Sequence, residues 1–179
     1  MKDFFKNILS KFNYQLLKID NNYIHYPIEQ TNEGILINFL KSKSVSLVFD
    51  VGANVGQWAS EIRESGYRKK IISFEPLSSA FSILSSNSTK DNLWTCENCA
   101  VGTSDTTSEI NISKNSVSSS LLPMLDSHIE AAPESFFYKK EKVEIIKLDT
   151  IAKKSVRNDD IVFLKIDTQG YERNVLDGA

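Results

Sequence analysis

The sequence predicts an α/β fold built on a parallel sheet, with a ligand crevice at the carboxyl ends of its first two strands. Three observations carry this. From Val45 onward short apolar runs alternate with helix-like stretches, the pattern of βαβ units with right-handed crossovers. The stretch FDVGANVGQW (residues 49–58) then breaks an apolar run with two glycines and an asparagine just before a helical pattern. Finally, Glu75 ends the second apolar run 25 residues after Asp50 (75 − 50).

The elements follow in order. Residues 1–43 form a separate N-terminal extension of helical character. Phe4, Phe5, Ile8, Leu9 and Phe12 recur at helical spacing opposite Lys2, Lys6 and Lys11, a face suited to packing on the domain or on a second subunit. Residues 32–41 predict a second helix, capped by Thr31 or Asn32, with Ile35, Leu36, Phe39 and Leu40 on one face. The domain proper spans residues 44–179. VSLVFD (45–50) is its first strand, and residues 55–65 its first helix, ending at Gly66. KIISFE (70–75) is a second strand stopped by Pro76, a Ser-rich helix runs to about residue 86, and LWTCENCAV (93–101) is a third strand. TTSEINI (106–112) and KVEIIKLD (142–149) alternate like added antiparallel strands. Residues 113–140 between them predict a long functional or mobile loop. DIVFLKID (160–167) is the fourth parallel strand, and GYERNVLDGA opens a last helix.

The bulk numbers exclude several classes of function. The chain has 179 residues, 41% apolar and 25% charged, with a formal net charge of −2, which suits a globular domain and argues against a nucleic-acid partner. No apolar run approaches the roughly 20 residues that span a bilayer, and no signal-peptide pattern opens the sequence, so a cytoplasmic location is expected. Cys96 and Cys99 have no second pair, and His25 and His128 lie in no ligand motif, so reduced cysteines and no metal are expected.

The glycine turn implies a nucleotide-type pocket. Gly52 lets backbone approach a ligand, Gly56 lets helix pack on strand, and Asn54 tolerates a left-handed conformation or caps the helix. A dinucleotide site wants glycine where Asn54 stands. Asp50 at the rim suits an ammonium group better than a diphosphate, and Glu75 suits two ribose hydroxyls. A ligand with a ribose, an amino group and no phosphate fits best, and S-adenosylmethionine is such a ligand.

In order along the chain, FDVGANVGQW, ISFEP, NCAVG, SSSLL, VEIIKLDTI and LKIDTQGYERNVLDGA resemble the FkbM-type methyltransferase family from Val45 to Ala179. The resemblance implies a Rossmann-like class I methyltransferase sheet and S-adenosylmethionine-dependent methylation of a hydroxyl group, of a macrolide or of a sugar or glycan. It implies that Asp50, Gly52, Ala53, Asn54 and Gly56 line the methionine and ribose part of the cofactor. Glu75 would hold the ribose beside Pro76, and Asn98, Cys99 or Ala100 would face the adenine. Asp167 would sit beside the transferred methyl, with Gln169 and Gly170 forming its turn and Glu172 in the same motif. A hydroxyl acceptor gains from a base, for which Asp167 is the first candidate and His128 the second. Family members continue beyond this point, so the C-terminal strands are expected to be missing. The strand at 162–167 would then be an open edge, to be completed by a longer chain, a homo-oligomer or a partner. The alternatives are a non-catalytic cofactor-binding or partner subunit and an NAD-dependent oxidoreductase.

Overall fold

A computed structural model describes residues 14–19, 22–27, 31–113, 119, 121 and 137–179. The helix predicted from Phe4 to Phe12 and the candidate base His128 lie outside the described residues. The extension holds an antiparallel hairpin that the periodicity did not reveal: β1 (Tyr14–Ile19) pairs with β2 (Asn22–Pro27), Ile19 opposite Asn22. Helix α1 (Asn32–Ser42) follows. Thr31 is its cap, its hydroxyl accepting from the Gly34 amide at 3.0 Å. The buried face is only partly the predicted one. Leu40 is buried and Leu36 packs against the core as expected, but Gly34 and Ile37 also turn inward, whereas Ile35 and Phe39 are 57% and 46% exposed. Apolar residues occupy two sides of this helix, so its period alone does not select the face; contact with Val45 and Val48 does.

The central unit runs β3 (Leu47–Val51), α2 (Gln57–Glu64), β4 (Lys70–Phe74), α3 (Ser78–Ser88) and β5 (Trp94–Glu97). A second sheet follows, of β6 (Ala100–Val101), β7 (Thr106–Ser113) and β8 (Phe137–Ile146), in the order β6-β8-β7. As predicted, β7 and β8 are antiparallel. Then α4 (Leu148–Ser155) leads back to β9 (Val162–Ile166) and α5 (Glu172–Asp177). The main sheet has the order β5-β4-β3-β9, parallel throughout, with β9 at its edge.

Two expectations change. The predicted strand 93–101 is two strands in two sheets. After Glu97 the Asn98 side-chain amide donates to the Glu75 and Pro76 carbonyls at 2.9 and 3.1 Å, and the chain turns off the main sheet there. In KLDT (147–150) the sequence also predicts that Asp149 caps the turn that follows, but it does not cap α4. Asp105 does, accepting from the Lys147 amide at 2.7 Å and the Thr150 hydroxyl at 2.9 Å.

Strand alternation divides the core. Val48, Ile71 and Trp94 face α1, α2 and α3 with Ile37, Leu40, Ile62 and Leu84. Leu47, Phe49, Val51, Ile72 and Phe74 face α4 and α5 with Leu148, Ile151 and Val175. Such strands, buried on both faces, read as the continuous apolar runs seen in the sequence. Each fully buried Leu, Ile or Phe stabilises the fold by roughly 1.5–3 kcal/mol. No helix among the described residues is long and apolar enough to cross a membrane.

Candidate functional site

From β3 the chain moves one way to β4 and later returns on the other side as β9. This places a switch point at the carboxyl end of β3, where open α/β sheets bind ligands. A crevice lies there, about 700 Å³ counted out to open solvent, lined by Gly52, Glu75, Asp167 and their neighbours.

The amides of the turn after β3 are engaged mostly by the end of β4 and by Glu75. The Gly52 and Ala53 amides donate to the Phe74 carbonyl at 3.1 and 3.0 Å, and the Gly56 amide donates to the Ala53 carbonyl at 2.8 Å. The Asn54 amide donates to Glu75 Oε2 at 2.8 Å. Asn54 is left-handed, φ 49°, as its residue type allows. At Gly52, φ +76°, a Cβ would stand 2.0 Å from the Asp167 carbonyl oxygen. Glycine is therefore demanded by contact with the chain leaving β9 as well as by the crevice it lines. At Gly56 a Cβ would meet Leu84 of α3 and Trp94 of β5 at 2.8 Å, so this glycine is required by packing against those elements, and, contrary to expectation, it does not line the crevice.

Asp50 and Ala53 do not line the crevice. Asp50 is fully buried behind the turn, accepting from the Ser73 hydroxyl at 2.9 Å and paired with Lys165 Nζ at 3.0 Å. Burial raises its pKa against the opposing pull of Lys165 and Ser73. The predicted contact with a ligand ammonium is corrected accordingly: the cation beside Asp50 belongs to the protein. Strand alternation explains this, because Asp50 points to the face opposite Phe49 and Val51. Ala53 is turned into the α1–α3 core.

Glu75 does reach the crevice, 6% exposed, where its second oxygen accepts from the Leu77 amide at 2.9 Å. Burial raises its pKa although both amide bonds favour the charge. Pro76, Cys99 and Ala100 line the wall beside it, and burial pushes the Cys99 thiol up to about 12. Asn98 braces the turn from an exposed position and is absent from the lining.

Across the crevice Asp167 is exposed, one carboxylate oxygen accepting from Gln169 Nε2 at 2.9 Å. Glu172 is structural: it accepts from the Thr168 and Gly170 amides at 3.0 and 3.1 Å and fixes the loop. The sequence reading missed, among others, Gln57, Val101, Thr168 and Tyr171, which also line the crevice, and Lys165 behind it. A lysine inside the otherwise apolar run DIVFLKID was the signal for the last. The others stand at helix starts (Gln57, Tyr171), in an apolar run (Val101) or in the polar loop after β9 (Thr168), where composition marks nothing.

The crevice thus offers two carboxylates, an apolar wall including Phe74, Leu77 and Val101, and a turn whose amides are already engaged. Among the described residues no His, Cys, Asp or Glu side chains gather as a metal site. With this geometry in hand, the family model of the methyltransferase FkbM domain matches residues 50–179. No curated protein matches the chain. Among solved structures, that of methyltransferase FkbM from Methylobacillus flagellatus KT is 16% identical with a TM-score of 0.47. That match covers 75% of this chain and 29% of that one, so the chain spans under a third of that structure's length.

Proposed function

The chain belongs to the FkbM methyltransferase family, and on that premise we propose that it binds S-adenosylmethionine in the crevice and methylates a hydroxyl group of a sugar or glycan. The observation that carries the cofactor is the occupied turn. A pyrophosphate needs the amides of the glycine turn, yet here Gly52, Ala53, Asn54 and Gly56 all spend theirs internally, one of them on the Glu75 carboxylate. A diphosphate would meet that carboxylate directly, which weighs against a nicotinamide dinucleotide. Ribose hydroxyls suit the acceptor oxygens of Glu75, the wall of Leu77, Ala100 and Val101 suits a purine, and the carboxylates suit a cationic ligand.

The bound cofactor supplies an already activated methyl group, and the protein supplies alignment and exclusion of water. Asp167 is held at the crevice by Gln169 and accepts the proton of the acceptor hydroxyl. Sugar acceptors rest on the family resemblance. The test is calorimetric titration of S-adenosylmethionine into the chain, with Glu75→Ala and NADH as controls. Saturable binding lost in Glu75→Ala, with NADH silent, is the expected result. Binding of NADH in its place would overturn the proposal.

A further inference from the structure

Behind the crevice lies a polar row that the proposed reaction does not use. Asp50 is the cross-strand neighbour of Ser73 on β4 and of Lys165 on β9. Trp94 Nε1 donates to the Ser73 hydroxyl at 3.0 Å, that hydroxyl donates to Asp50, and Lys165 pairs with the other Asp50 oxygen. The row crosses the whole sheet one residue short of the pocket-forming ends. Lys165 has a second acceptor. Its ammonium donates to the Gly52 carbonyl at 3.1 Å, and the Trp58 ring stands 5.8 Å away over it.

A buried ion pair is a weak device for stability alone, since apolar residues of similar volume hold a core as well or better. Position distinguishes this one. Two backbone features join the β3 turn to the end of β9: the Asp167 amide donates to the Val51 carbonyl at 3.0 Å, and Gly52 touches the Asp167 carbonyl. The Lys165 bridge adds a side-chain tie between the same two segments, from a residue two before Asp167. Gly52 and Asp167 line the crevice from different strands, so their relative position depends on these ties.

We propose that Lys165 is a positioning residue: by bridging Asp50 and the Gly52 carbonyl it locks the β3–α2 turn to the end of β9, so that Gly52 and Asp167 form one fixed wall of the crevice. Its meaning for methyl transfer rests on the function proposed above, whereas the locking is a property of the chain itself.

The experiment compares the chain with Asp50→Asn/Lys165→Met, which removes both charges at similar volume. Three quantities are measured: thermal midpoint, amide exchange at Ala53, Asn54 and Asp167, and S-adenosylmethionine affinity. The expected result is a midpoint close to that of the parent, exchange at those three amides at least tenfold faster, and affinity at least tenfold weaker. Parent-like exchange in the folded double variant would overturn the proposal, because the pair would then serve only charge balance. Lys165→Met alone is the second variant, should the double variant fail to fold: it removes both legs of the bridge while Ser73 still donates to Asp50. Faster exchange at the three amides there supports the lock, and parent-like exchange overturns it. If the parent chain fails to bind S-adenosylmethionine, the cofactor assignment falls while the exchange results still decide the role of Lys165.

Discussion

Substituting Gly52 by Ala tests the architecture of the site at its tightest point. The added Cβ would lie 2.0 Å from the Asp167 carbonyl oxygen and 2.8 Å from its carbon, both backbone atoms with no rotamer to yield. Ordinary contact begins near 3.4 Å, so the turn and the end of β9 must part by more than 1 Å (3.4 − 2.0 = 1.4). The residue also sits at φ +76°, where a Cβ costs about 1–2 kcal/mol. Parting the segments strains the 3.0 Å bond from the Asp167 amide to the Val51 carbonyl, worth about 1 kcal/mol. The sum is about 2–3 kcal/mol, or a thermal midpoint lowered by roughly 4–12 °C in a chain of this size. Urea denaturation followed by circular dichroism reads the first figure and a thermal scan the second. Affinity for S-adenosylmethionine should fall as well, because Gly52 and Asp167 face the crevice together. A Gly52→Ala chain within about 0.5 kcal/mol of the parent, the range of neutral surface changes, would refute the reasoning.

Three further outcomes follow from particular side chains. Burial lifts the Glu75 pKa above its ordinary 4.5, so the folded chain holds that proton more tightly than the unfolded chain does. Its contribution is full below 4.5 and is lost as pH rises through the raised value, so the parent should lose stability relative to Glu75→Gln on raising the pH from 4.5. A pH-independent difference between the two urea curves would contradict this. Arg63, 13% exposed at its side chain, donates to Asp91 at 2.6 Å and to the Tyr67, Lys69 and Leu93 carbonyls at 3.0, 2.7 and 3.1 Å. Arg63→Ala should therefore cost about 2–4 kcal/mol by chemical denaturation, and a loss under about 1 kcal/mol would deny those bonds their role. Raising the Cys99 thiol from 9.0 to about 12 cuts its thiolate population at pH 8 roughly a thousandfold. Iodoacetamide should label Cys99 slowly in the native chain and rapidly in urea, as peptide mapping would show. Equal rates in both would place the thiol in solvent.

Much of the fold and part of the site was legible beforehand because the signals were local. Apolar runs bounded by Gly, Pro and Asp located β3, β4 and β9, since β3 and β4 are covered on both faces and β9 packs beside β3, so each is mostly apolar. The turn at 52–56 was legible because positive φ and close packing restrict residue type. Glu75 and Asp167 were legible because charged residues ending apolar strands stand at the sheet's carboxyl edge. The hairpin at 14–27 was not, being short and without a periodicity that sets it apart. The inner face of α1 was legible only in part, at Leu36 and Leu40, because apolar residues cover more than one side of that helix. The split of 93–101 depends on Asn98 finding two carbonyls more than twenty residues away.

By itself, then, the sequence determined the alternation of strands and helices, the glycine turn and the carboxylates that flank it, since each is set by short-range sterics and burial. Only the tertiary structure decided which carboxylate meets the ligand and which meets a lysine. Asp50 and Glu75 are both acidic residues at strand ends, but alternation turns Asp50 to Lys165 inside the sheet, while Glu75 lies one residue past its strand and opens on the crevice. That choice depends on β9 lying beside β3, a pairing between segments over a hundred residues apart that no local pattern encodes.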